Sequence, residues 1–153
     1  MQRRLSNLSK HEADLFHSIA TQLNDDSTGN KDELLRQLGG LAEKADSYET
    51  FNVRDNEIAD LPTDGQIYSS VWPQAEKMRS NGLLFQSLQY IKCPVIVIHG
   101  EHDSHPVEGV TEPLKEQGVT FETHILPKCG HSPFYEKFAY KKFYRILVDV
   151  IFR

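Results

Sequence analysis

Apolar and polar positions alternate with two different periods along this chain, and the period changes near residue 92. Before that point the spacing is helical. Leu15, Phe16, Ile19 and Leu23 recur three to four residues apart and so fall on one face of a helix. That segment opens on Ser9-Lys10-His11-Glu12, a capping box: the serine hydroxyl accepts from the Glu12 amide, and the Glu12 carboxylate reaches back. "DDSTGN" breaks the helix. Asn30 and Glu33 then give a second start signal, ahead of "LLRQLGGLAEKA", where Gly39 and Gly40 weaken the middle. Residues 49–65 have no clear period and read as loop. In the third helical region Pro73, after Trp72, suits the first helical position, and Gly82 suits the stop. "GLLFQSLQYI" reads as a short extra turn.

From Cys93 onward the pattern switches to alternating elements. "CPVIVIHG" is a continuous apolar, β-branched run, as in a strand buried on both faces. "PVEGVTEPLKEQG" is helical but carries Pro113, which leaves one broken helix or two short ones. "VTFETHIL" alternates Val119, Phe121, Thr123 and Ile125 as a second strand. A long helix is then expected over "SPFYEKFAYKKFYRILVDVIF", with Ser132 as cap and Pro133 first. Tyr135, Phe138, Ala139, Phe143, Ile146, Leu147 and Val150 form its core stripe. The fold class is therefore α/β. A helical layer over residues 1–92 precedes a short parallel β-α-β-α unit over residues 93–153.

Composition narrows the function. The 153 residues carry 17 basic and 22 acidic side chains, net −5, and Arg3 with Arg4 is the one basic cluster. Nucleic acid is not an expected partner, because phosphate binding needs concentrated positive charge. No apolar run approaches membrane-spanning length, and the first 16 residues lack the apolar core of a signal peptide. Cys93 and Cys129 form neither a disulfide framework nor a zinc spacing, so reduced thiols and a cytoplasmic location are expected.

The chemistry gathers in "VIVIHGEHDSHP", where an apolar strand runs into Asp103 among His99, His102 and His105. A metal site, a ligand or nucleic-acid loop, and one arm of a catalytic triad all draw on such residues. The three histidines stand at i, i+3 and i+6 across a strand end and a turn, without the i, i+4 helical pair or thiolate of common zinc sites. Neither a metal nor a cofactor is expected. His99 and His124 read as strand side chains, and Trp72 as packing. Asp103 alone also reads as a cap for a helix starting near Pro106. A second polar residue changes the weight. His131, in "LPKCGHSPF", stands after the second strand as Asp103 stands after the first. Parallel strands gather chemistry at their carboxyl ends. A carboxylate and an imidazole placed there share a hydrogen bond that fixes the ring's tautomer and stabilises the imidazolium. Gly130 lets the backbone turn where a side chain would crowd.

"PVIVIHGEHDSHP" followed by "ILPKCGHSPFYEKFAYKKFYRIL" resembles the last third of an α/β-hydrolase with a helical lid, over residues 93–145. That family orders its triad as nucleophile, acid, histidine. The resemblance implies Asp103 as the acid, His131 as the histidine and residues 1–92 as the lid. The chain departs from the family in having no G-x-S-x-G. Ser69 and Ser70 lie in a helical region, and Cys129 shares the His131 loop; none has the elbow a nucleophile needs. Two functions follow. One is the carboxy-terminal portion of a serine hydrolase for an ester, amide or similar small acyl substrate, inactive as this chain alone. The other is a non-catalytic remnant acting in self-association or partner binding. "CPVIVIHG" lacks charge from Pro94 to Ile98 and makes a poor edge strand, so a homo-oligomer through the open sheet edge is expected.

Overall fold

The computed structural model describes residues 2–25, 27–51 and 63–152, a mixture of helices with a small parallel sheet. Among the described residues five helices come first: α1 (Gln2–Ser6), α2 (Lys10–Leu23), α3 (Lys31–Asp46), α4 (Gly65–Ser80) and α5 (Leu83–Ser87), the last continued by a 3-10 turn at Leu88–Tyr90. Then come β1 (Val95–Gly100), α6 (Glu108–Glu116), β2 (Phe121–Leu126) and α7 (Tyr140–Ile151). Most of the loop expected over 49–65 lies outside the described residues.

The helix starts follow their local signals. Ser9 and Glu12 make the reciprocal capping box of α2, and Phe16, Ile19 and Leu23 are buried along its inner face. Leu15, expected on that face, is exposed instead. Asn30 caps α3 by accepting from the Glu33 amide, from a left-handed backbone (φ 51°). That helix runs unbroken through Gly39 and Gly40. Gly82, with φ 76°, ends the turn after α4 as expected.

The third helix is not organised around Pro73. It begins eight residues earlier, where the Asp64 side chain accepts from the Ile67 amide and Asp32 accepts from the Gly65 amide at 2.7 Å. These caps outweigh the proline, which sits in the interior of α4 on its exposed side. A missing interior amide is least costly where water can reach the freed carbonyl. Trp72 packs at the surface rather than in the core: it is half exposed, stacked on Tyr68 at 5.5 Å with Arg79 over its ring.

The strands pair in parallel and in register, Val95 with Phe121 through Gly100 with Leu126. Both chains therefore leave the sheet at the same level. Pro113 is accommodated within the single helix α6. Leu126, Cys129, Ala139 and Ile146 form the core beneath the sheet's carboxyl end, with Ile98, Phe143 and Val150 packed against them.

The long final helix is shorter than expected. Residues 133–139 are turns broken by a bridge at Glu136, and the helix starts at Tyr140. Phe138 is exposed, and Ser132 and Pro133 open no helix. The reason is Glu136. Its fully buried carboxylate accepts from the amides of Tyr48 (2.8 Å), Glu49 (2.8 Å) and Gly130 (2.9 Å). Residue 136 also forms an antiparallel bridge with Thr50. Three backbone donors from outside hold this stretch out of a helix. Residues 46–51 thus run as a strap beside 130–137, with further bonds from Phe51 to Tyr135 and from Lys137 to Glu49. Among the described residues no helix is long and apolar enough to cross a membrane.

Candidate active site

Because β1 and β2 end level, the loops after them meet. The Glu101 amide donates to the Leu126 carbonyl at 2.9 Å, and the His102 amide to the Cys129 carbonyl at 2.8 Å. The approach tolerates no side chain. A Cβ on Gly100 would lie 2.1 Å from the Gly130 carbonyl oxygen, and one on Gly130 would lie 2.1 Å from the Asp46 carbonyl oxygen. Gly130 is required for this crossing rather than for a left-handed turn, since its φ is not positive. The His131 amide donates to the same Asp46 carbonyl at 2.8 Å.

Asp103 and His131 come together as the sequence implies. Nδ1 of His131 is 2.9 Å from Oδ2 of Asp103. The carboxylate side of the pair is dry, with Asp103 4 % exposed, while the His131 side chain is 56 % exposed. A carboxylate accepts only, so Nδ1 carries the proton and Nε2 is left as a base facing solvent. Burial pushes the Asp103 carboxyl up, but hydrogen bonds from the His105 amide and the His131 ring outweigh it and leave the group below the ordinary aspartate value. Asp103 does not cap α6, whose first turn has no side-chain cap. It forms instead a local turn, Oδ1 accepting from the His105 amide at 2.8 Å.

Sequence spacing gives His99 and His105 only strand or metal roles, yet both belong to this cluster. His105 Nδ1 lies 3.1 Å from Asp103 Oδ1, and His99 Nε2 lies 3.5 Å from Asp103 Oδ2. His102 turns away and packs on the Tyr48 ring at 4.5 Å. His124 lies on β2, beside Glu122.

A second layer beneath the pair has no counterpart in the sequence pattern. Asp46 is buried, receives Arg4 through both Nε (2.9 Å) and Nη2, and accepts from the Ser104 hydroxyl. Arg3 donates to the Glu101 carbonyl at 3.0 Å. The small basic cluster of the sequence is thus used within the fold. One signal was available: an acid in the last turn of a helix opposes the helix dipole and needs a reason. Glu136 gave none, because its neighbours continue a helical stripe.

None of the weighed nucleophiles is placed to react. Ser69 and Ser70 are inside α4, and the Ser70 hydroxyl donates to the Ile67 carbonyl. Cys129 is fully buried, and burial followed by the Glu136 and Asp103 charges pushes its thiol up to about 12. It is a protonated thiol at neutral pH, and the thiol is a far weaker nucleophile than the thiolate. No protein-family model, curated protein or solved structure matches the chain.

Proposed function

We propose that residues 93–153 are the acid- and histidine-bearing part of a serine α/β-hydrolase, with residues 1–92 as its helical lid. The observation that carries this reading is the 2.9 Å bond from His131 Nδ1 to buried Asp103 at the level carboxyl ends of two parallel strands. His131 Nε2 then takes the proton of a nucleophile's hydroxyl as its oxygen attacks an ester or amide carbonyl. Asp103 stabilises the imidazolium, and the ring returns the proton to the leaving group. The nucleophile and the oxyanion donors must come from outside the described residues: Ser104 and Ser132 lie between a strand and a helix, but in long connections rather than a tight elbow, and the Ser104 hydroxyl is buried on Asp46. Two free cysteines, one exposed and one buried, accord with a cytoplasmic setting.

The chain alone is expected to hydrolyse no activated ester and to take no fluorophosphonate label. Mixed with a nucleophile-bearing half, it is expected to restore both. Stoichiometric labelling of a serine in this chain alone would overturn the reading.

A second reading, self-association, rests on the apolar surface around the sheet. Neither outer edge has a strand partner among the described residues. Ile125, Val148, Ile151 and Phe152 are exposed nearby. At about 25 cal/mol per Å² of apolar area buried, covering such a surface favours a dimer. Light scattering at micromolar concentration is expected to give twice the chain mass; a monomer throughout would sink it.

A further inference from the structure

We propose that Asp103, His105 and His131 bind a divalent transition cation of the zinc type. Two imidazoles and one carboxylate bring their ligand atoms within 4.8 Å of one another. His131 Nδ1 is 2.9 Å and His105 Nδ1 3.1 Å from the two oxygens of one carboxylate. Donors bound to one such cation at about 2.0–2.1 Å stand roughly 3.0–3.4 Å apart. The carboxylate–ring spacings therefore need little change. The rings close the rest of the gap by rotating, which their exposure permits: about half of each side chain faces solvent. Three protein ligands with an open, wet side is the pattern of zinc sites that keep a water. Imidazole donors favour zinc, copper or nickel over magnesium or calcium.

His99 stands behind the carboxylate, with Nδ1 2.9 Å from the Gly100 carbonyl and Nε2 3.5 Å from Asp103 Oδ2, and with 11 % of its side chain exposed it closes that side of the site to solvent. Arg4 Nη2 approaches His105 Nε2 at 3.4 Å, with its charge met by Asp46.

Binding needs no net proton release from neutral rings: each moves its proton from Nδ1 to Nε2. The metal therefore takes the nitrogen that joins His131 to Asp103 and leaves Nε2 protonated, unable to act as base. The cation and the base use the same ring in exclusive ways, so a bound cation is an off state of the proposed enzyme. The metal site itself does not depend on that enzyme.

The test is calorimetric titration of Zn²⁺ into the full chain carrying Cys93→Ser, which removes the exposed thiol. One saturable equivalent is expected. His105→Ala and His131→Ala should each weaken it by about tenfold or more, and His105→Gln should do the same if alanine perturbs folding. His102→Ala should leave it unchanged. In ¹⁵N spectra, Zn²⁺ should shift the Nδ1 signals of His105 and His131 and not those of His11 and His17. No saturable binding, or equal binding in the His105 and His131 variants, overturns the site.

Discussion

Asp103→Asn is expected to lower hydrolysis by the completed enzyme about ten-thousandfold, the loss that follows in a worked serine triad, while the chain stays folded. The fold survives because the asparagine oxygen can still accept from the His105 amide, as Asp103 Oδ1 does at 2.8 Å. Chemistry fails because the other end of the amide is a donor. It faces His131 Nδ1, which today donates to Oδ2 at 2.9 Å. The ring answers by moving its proton to Nε2 and loses the lone pair that a nucleophile's proton needs. His131→Ala removes the base outright and should cost at least as much. Two readouts separate this from unfolding. The urea midpoint of Asp103→Asn should stay near wild type. The downfield ring-proton signal of His131 Nδ1–H should vanish from the isolated chain. Full restored activity in either variant sinks the assignment.

Glu136→Ala is expected to be the most destabilising single change in the chain, by about 3–5 kcal/mol. Three backbone amides from two distant segments donate to that one carboxylate. Each buried amide left without an acceptor costs about 1–3 kcal/mol. The Gly130 amide is fully enclosed, while those of Tyr48 and Glu49 are partly so and can regain water. This places the sum below the upper limit. Against a typical stability of about 5–15 kcal/mol the chain would be marginal, and at about 2–4 °C per kcal/mol the melting temperature should fall by roughly 6–20 °C. Glu136→Gln should fall between, since its oxygen serves some donors and its NH₂ opposes another. A Glu136→Ala midpoint within about 0.5 kcal/mol of wild type, the range of ordinary surface changes, would refute the strut.

These two residues mark what the sequence could and could not disclose. Asp103 and His131 were legible because each follows an apolar strand, and strand ends are a local pattern. The Ser9–Glu12 box and the αL stop at Gly82 were legible for the same reason. Glu136 was hidden by its surroundings: Tyr135, Phe138 and Ala139 continue a helical period, and only the Tyr48 and Glu49 amides, 88 and 87 residues away, reverse it. Pro73 misled because an aspartate nine residues earlier caps the helix more strongly than a proline marks a start. Of the three histidines near Asp103, spacing alone could not tell that His102 leaves for Tyr48 while His131 arrives from the other loop. Asp46 and Ser104 meet across 58 residues, a pairing no window of sequence contains.

The strap of residues 46–51 beside 130–137 also orders events in time. The contacts of α2 with α3 close within a few tens of residues, and the His131–Asp103 bond closes 28, whereas the strap's bonds to Glu136 close loops of 88 and 87 residues. Distant closures cost entropy before any contact repays it, and they slow folding. The helices, the β1–β2 pair and the loops after it should therefore form before the strap fixes the His131 backbone. Pulse-labelled exchange during refolding should find the His131 amide, which donates to the Asp46 carbonyl, among the last protected. A chain emerging from synthesis would hold most of its secondary structure before the strap fastens its histidine loop.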